Sequence, residues 1–373
     1  MKGYDAVVSN RWVRLGAFLV VLVVLAVLPL VADPFTNQTI SHIAVFAVAI
    51  LGLNIVMGFT GQVSLGHSFF VGIGAYAAII PIRDWWGGPL AEGAIVIGFV
   101  LSGLIPGVLG LLIALVTVRL RGLALAMVTI ALPTIGLPLA QKFSDFTGGN
   151  EGISIRRLDY VGADGQVHKG NPFAAGPGLE NDQWQYYIVI AIALAFFALA
   201  YFLVRGKYGR AFAIVRSNEA IASSMGVSPY RYKVLAFTIA AVYGGIAGFL
   251  LIVWGQFTSS ETLAFHHSID LVIASIVGGA GSIVGAVLGG VFYVTVSQIM
   301  NGLQLSIYTT LVQGVVIILI LFLLPGGLAS LPRTIRRLVR RGAAGHSVEA
   351  GHAADSASGN TKTQVQPSEE RNT

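Results

Sequence analysis

The sequence predicts an all-α, polytopic transmembrane helix bundle with eight to ten spans, some of them broken by glycine or re-entrant. Three observations carry this. Apolar side chains make up 55% of the 373 residues, charged ones only 11%, and mean hydropathy is +0.78. Soluble domains carry roughly a quarter charged residues. Uncharged runs near the length needed to cross a bilayer recur along the chain. A soluble enzyme is excluded, and with no cysteine there is no disulfide, thiolate metal site or cysteine nucleophile.

The first run, Leu15 to Ala32, follows Arg11 and Arg14. It is long for the core of a signal peptide, has no clear small-x-small cleavage site, and more spans follow, so it reads as an uncleaved first span. Further spans are expected near Ile40–Met57, Leu65–Ile82, Ala94–Val118, Leu123–Ala140, Trp184–Val204, Val234–Trp254, Ile269–Met300 and Ile307–Leu324. Alternation from a cytoplasmic N-terminus puts 16 Lys and Arg against 2 acids on one face, counting the basic residues Arg333 to Arg341. The opposite loops hold 5 against 11, and residues 342–373 hold 2 against 4. The positive-inside rule makes the first face cytoplasmic, so the net charge of +6 is a record of topology, not a sign of nucleic acid.

The segment 269–300 does not fit simple alternation. As one helix its 32 residues would reach about 48 Å, against a hydrocarbon core of about 30 Å, and Gly278-Gly279-Ala280-Gly281-Ser282 interrupts it. It must also return to its starting side if Arg333, Arg336, Arg337, Arg340 and Arg341 are to lie inside. A re-entrant hairpin or two short spans is expected. The boundaries read as 1–14 cytoplasmic N-terminus, 15–332 membrane domain and 333–373 basic stretch and tail, whose last 32 residues lack the apolar side chains to repay ordering. Within the membrane domain, 141–183 forms an external loop, a small subdomain or lid, and 205–233 a cytoplasmic loop.

Three segments are candidates for function. Gly58-Phe59-Thr60-Gly61-Gln62-Val63-Ser64-Leu65-Gly66-His67-Ser68 enters an apolar span with glycines and polar groups, which predicts a broken helix whose opened backbone lines a solute path. Gln62, Ser64, His67 and Ser68 are the side chains that could touch solute, or cap a helix end in the case of His67. Gly72, Gly74 and Ala75 read as small-residue packing. The second break supplies Gly278, Gly279, Gly281 and Ser282. Its glycines are no phosphate loop, because no lysine follows. Two breaks, one in each half of the chain, are the pattern left by inverted repeats around a binding site.

The third is the cytoplasmic run 206–227. Phe212, Val215, Ala222 and Met225 form an apolar helical face around an Arg216–Glu219 pair, with Gly226 as the stop. Such a helix lies on lipid or docks in a partner's groove. The central parts of the spans carry no charge, which disfavours transport driven by an ion gradient and points to energy from another subunit. The histidines form no metal-ligand spacing, and no nucleophile motif is present.

These residues resemble a known family. The run Gly58 to Tyr76, the loop Gly209 to Gly226 with Tyr232-Lys233 and Ala236-Phe237, Gly244-Gly245-Ile246-Ala247-Gly248, the break 278–282 and Leu324-Pro325-Gly326-Gly327-Leu328-Ala329 resemble the branched-chain amino acid ABC transporter permeases, the M-type subunit in particular. The resemblance spans roughly residues 40 to 330. It implies a subunit of a bacterial inner-membrane importer without cofactor or catalytic residues of its own. The partners it implies are a sister permease, two cytoplasmic ATPases, an extracytoplasmic solute-binding protein and membrane lipid. It further implies that 209–226 is the segment coupled to an ATPase, with Gly209, Arg210, Arg216, Glu219, Ala220 and Gly226 in that role. Glu219 to Gly226 is seven residues, one more than the commonest version, so individual docking contacts do not transfer. The cargo is a branched-chain amino acid or, as in close relatives, urea or a short amide. An independent carrier or channel is the competing reading.

Overall fold

The computed structural model describes residues 11–86, 91–120, 122–161, 167–173, 178–324 and 326–331. The expected basic stretch from Arg333 and the tail after it lie outside the described residues, as do residues 1–10 of the expected N-terminal segment. Helix α1 (Arg11–Val31) leads into α2 (Pro34–Leu53) through Asp33. The Asp33 carboxylate accepts from the Thr36 hydroxyl at 2.6 Å and from its N–H at 3.3 Å, with Pro34 in the first helical turn. The hydroxyl bond holds the Asp33 carboxyl below its ordinary pKa.

Helix α2 continues into a π-helical turn, Asn54–Phe59, and an extended run to Gly66 precedes α3 (His67–Trp85). Then come α4 (Ala91–Thr117), α5 (Leu123–Lys142) and the single turn α6 (Ser144–Thr147). After short strands follow α7 (Asn181–Arg205), α8 (Lys207–Ser217), α9 (Glu219–Ser224), α10 (Pro229–Gly255), α11 (Phe265–Gly278), α12 (Ile283–Gly302) and α13 (Thr309–Leu323). Six stretches, 34–59, 93–117, 124–142, 181–205, 229–255 and 283–302, are long and apolar enough to cross a membrane; Leu22–Val31, Phe265–Gly278 and Thr309–Ile320 are shorter apolar helices.

Helices α2 and α10 are the inner ones. The apolar stretches of these two are 72% and 78% buried, against 28% for α4 and 17% for α7, whose outer faces carry exposed Leu, Val and Phe. In lipid, apolar area alone does not drive helices together, so close backbone approach must. The sequence supplies it with small residues. A Cβ at Gly245 would overlap the Ser102 carbonyl of α4, one at Gly74 the backbone of Gly245, and one at Gly248 the Val71 carbonyl of α3. Helices α3, α4 and α10 therefore meet backbone to backbone.

The segment expected at 269–300 is two antiparallel helices joined by the break. Helix α11 has 14 residues, about 21 Å of rise, and α12 has 20. A Cβ at Gly278 would overlap the Gly285 carbonyl, and one at Gly289 the Ala274 carbonyl, so the pairs 278/285 and 274/289 face each other. Gly279 (φ +118°) and Gly281 (φ +84°) make the reversal, which β-carbon-bearing residues rarely adopt. Helix α11 starts four residues earlier than expected, so Asp270 falls in its second turn and is nearly buried, deeper than the end position expected for it.

Hydrogen bonds fix which ends lie together. At one end, Asn37 Nδ2 donates to Asp182 Oδ2 (2.8 Å), Trp254 Nε1 to the Gln38 carbonyl (3.0 Å) and Gln298 Nε2 to Thr39 Oγ1 (2.8 Å). The loop after α6 docks there through β1 (Ile153–Ser154), antiparallel to β4 (Phe257–Thr258), and carries a β2–β3 hairpin (Leu158–Val161, Val167–Gly170). This is the acidic end. At the opposite, basic end the Tyr230 hydroxyl donates to the Leu115 carbonyl (2.9 Å) and Gln62 Nε2 to the Lys233 carbonyl (3.3 Å).

Candidate functional site

A cavity of about 810 Å³ opens at the acidic end between α2, α3, α10, α11 and the docked loop. The inner wall is aliphatic, built from Val45 and Ala49 of α2, Val71 of α3, Ala247 and Leu251 of α10, and Leu271 of α11. Its mouth is polar, with Arg156 from the loop and Asn181, Asp182 and Gln185 from the start of α7. Ser68 reaches the wall from the first turn of α3. Its hydroxyl lies 2.6 Å from that of Ser268, and the Ser68 N–H donates to Ser268 Oγ at 2.9 Å. The two serines tie the start of α3 to α11. His267 also lines the cavity, with Nδ1 3.9 Å from Asp270 Oδ2. Trp254, on the wall, stacks on His42 with ring centroids 3.9 Å apart.

The other expected pathway residues stand elsewhere. His67 is the first residue of α3 but is 1% exposed and lies against Gly52 and Gly244, not on the cavity. Gln62 and Ser64 are buried in the extended run, Gln62 holding Thr60 and the start of α10. Gly278, Gly279, Gly281 and Ser282 form the reversal between α11 and α12, and none of them lines the cavity. Ser282 caps α12, its hydroxyl accepting from the Gly285 N–H at 3.2 Å.

The two breaks nevertheless meet each other. A Cβ at Gly58, in the π turn, would overlap the backbone of Gly281. Asn54, in the same turn, donates to the Ser282 carbonyl (3.1 Å) and accepts from Ser275 Oγ (2.6 Å), so one amide holds both halves of the hairpin. Sequence reasoning missed Asn54. The available signal was a lone amide inside the otherwise apolar run 43–57, which in a membrane must find a polar partner. The Gly58–Gly281 contact lies beside Arg216, at the basic end.

The run 206–227 is two helices, where one was expected. Asn218 leaves the helical conformation (φ −165°, ψ 121°) and its side chain accepts from the N–H groups of Ala220 (2.8 Å) and Ile221 (3.2 Å), starting α9. Phe212, Val215 and Ala222 are buried as the apolar face required, but Met225 is 63% exposed, since the second helix ends at Ser224 and Met225 lies past it. Arg216 and Glu219, expected as a pair, each reach across to the bundle. Arg216 Nη1 donates to the Gly58 carbonyl, and Lys233 Nζ to Glu219 Oε1 at 2.5 Å. Gly209 lies against the Val204 backbone, Arg210 and Ala220 are exposed, and Gly226 (φ +78°) ends the element. Between α8–α9 and the ends of α4 and α10 runs a polar groove of about 850 Å³, lined by Arg119, Arg216, Asn218, Glu219, Ala220 and Lys233 among others. Among the described residues no three His, Asp or Glu side chains converge to hold a metal ion.

Residues 35–321 match the family described as branched-chain amino acid transport system, permease component. The chain belongs to that family. The high-affinity branched-chain amino acid transport system permease protein LivM of Escherichia coli (strain K12) is 30% identical over 352 residues, 90% of this chain and 80% of that one. LivH of the same strain is 29% identical over 198 residues, 48% of this chain and 62% of that one. The ribose import permease protein RbsC of Bacillus subtilis (strain 168) is 25% identical over 86% of this chain and 94% of its own. The permease is thus a multi-pass membrane protein, a component of an ABC transport system whose relatives include a second permease type.

Proposed function

We propose that this permease imports branched-chain amino acids, with energy supplied by partner ATPases. The observation that carries the reading is the division of the 810 Å³ cavity into an aliphatic wall and a charged mouth. Small-molecule sites are of this size and build, apolar with a few placed polar groups. An amino acid matches it, with Asp182 and Arg156 near the ammonium and carboxylate and the side chain against Val71 and Leu271. Urea or a short amide would gain nothing from the aliphatic wall, whose attraction scales with buried apolar area. The basic end is cytoplasmic by the positive-inside rule, so the cavity opens outward, where an extracytoplasmic binding protein delivers solute. The docked loop 141–183 borders that mouth.

In this reading two ATPases dock at the cytoplasmic face, one on α8–α9 of this chain and one on the sister permease. ATP-driven closure moves α8–α9, the contact between Gly58 and Gly281 opens, and solute leaves toward the cytoplasm. The chain itself carries no catalytic step and needs no cofactor.

The complete transporter in proteoliposomes, loaded with ATP, tests this by uptake of labelled leucine against labelled urea. Leucine is expected to enter and urea not, and the reverse would refute the assignment. Val71→Trp, which puts a bulky ring on the aliphatic wall where the side chain of the solute is placed, is expected to lower leucine uptake about tenfold or more with the complex still assembled. Unchanged uptake would place the solute path elsewhere. This chain reconstituted alone is expected to move no solute. ATP-independent transport by it alone would favour the carrier reading.

A further inference from the structure

We infer that Arg216 is the strut that carries motion of the coupling element into the closure between the two breaks. This inference rests on the proposed docking of an ATPase on α8–α9. Three observations support it. The Arg216 guanidinium donates to the Gly58 carbonyl, one of the last carbonyls of the continuous α2 and π turn. Those carbonyls lack partners within the helix and carry its partial negative charge, so a cation is favoured there. The Arg216 stem crosses Gly61 (φ +72°), where a Cβ would stand 3.1 Å from Arg216 Cγ. Its Nη1 lies 3.2 Å from where a Cβ of Gly281 would be. Glycine at 61 and 281 thus makes room for one arginine, and glycine at 58 lets the two broken segments meet beside it.

The rest of α8 is held differently. Phe212 and Val215 are buried, and apolar contact of this kind is non-directional, so the helix can slide against the bundle without dragging it. A charge-assisted hydrogen bond has a defined length and angle, so moving its donor moves its acceptor. What it moves is a π turn. A π turn has one residue more than an α turn and can shift register locally, and Asn54 in that turn is bonded to Ser275 and Ser282 on either side of the hairpin break. Displacement of α8 therefore reaches Gly58, Asn54 and the α11–α12 reversal through the Arg216 side chain. Arginine suits this better than lysine, because its planar fork keeps several donors in fixed directions.

The test uses the whole transporter in proteoliposomes and reads three quantities: ATPase co-purification, ATP hydrolysis and leucine uptake. For Arg216→Ala, co-purification and hydrolysis are expected to stay within about twofold of wild type, while solute moved per ATP falls about tenfold, the factor given by about 1.4 kcal/mol of lost coupling. Arg216→Lys is expected to recover part of that ratio. Asn54→Asp, which keeps the acceptor for Ser275 but loses the donor to Ser282, is expected to lower the ratio without touching the coupling element. An unchanged ratio in Arg216→Ala overturns the inference. So does loss of ATPase co-purification in Arg216→Ala, which would make Arg216 a docking contact. Monodisperse elution of Arg216→Lys and Asn54→Asp keeps the comparison available should Arg216→Ala misfold. The docking reading fails separately, if Glu219→Arg with Gly226→Trp leaves co-purification intact.

Discussion

Gly245→Leu is expected to abolish the assembled bundle. Overpacking in a core usually costs about 1–3 kcal/mol because neighbouring side chains can rearrange. At Gly245 the obstacle is backbone. A Cβ there would overlap the Ser102 carbonyl and stand 2.6 Å from Pro106 Cγ, both on α4, while the carbonyl of Gly245 itself fills the space a Cβ would need at Gly74 on α3. No rotamer relieves this, so α4 or α3 must move away from α10. Those helices hold one another by van der Waals contact between backbones, with no hydrophobic term to compensate in lipid. Size-exclusion chromatography of the detergent-extracted protein should show aggregate or no peak. Gly93→Leu, where only Ile97 Cδ1 comes as near as 4.0 Å, should elute as wild type. A monodisperse Gly245→Leu protein at normal yield would mean that the α3–α4–α10 contact does not hold the bundle.

Uncharged apolar runs of bilayer length made the membrane helices legible, and the glycine runs marked both breaks, because these signals are local to the segment that carries them. Partners across the fold were not legible. The serine in the broken run that reaches the cavity, Ser68, was distinguishable from buried Gln62, Ser64 and His67 only once α11 brought Ser268 to it. Polarity within a span says that a partner is required, not whether it is solute or protein. Gly278, Gly279, Gly281 and Ser282, expected along the pathway, form a reversal pressed against Gly58; glycine permits close approach by backbone and by ligand alike. Spacing suggested the Arg216–Glu219 pair, since residues three apart are neighbours on one helix. Asn218 breaks that helix, and a capping asparagine in the middle of an amphipathic run was the sign of it. The pairing of β1 with β4 joins segments a hundred residues apart, and two-residue strands carry no readable alternation.

Glu219→Arg is expected to lower ATPase association and uptake by at least about tenfold in each, because it puts a cation where three features favour an anion. Glu219 is the first residue of α9, where an acid suits the helix N-terminus and a cation does not. Its carboxylate holds Lys233 of α10 at 2.5 Å, and Lys233 is only 11% exposed. Arginine there would also face Arg119 and Arg216 across the same groove. An exposed ion pair would be worth a few tenths of a kcal/mol, but a partly buried cation left facing another costs more. Helix α9 has six residues and stays in place through few contacts, so losing this one should swing it from α10. The charge-swapped double variant, Glu219→Arg with Lys233→Glu, separates two roles. If Glu219 acts by fixing α9 to α10, the swap should restore ATPase co-purification and uptake, as expected for residues in direct contact. If the swap restores neither while the permease remains monodisperse, the carboxylate itself meets the ATPase. If the single variant binds the ATPases as wild type does, α8–α9 is not the docking element, and the route from ATP to the closure at Gly58 and Gly281 must begin elsewhere.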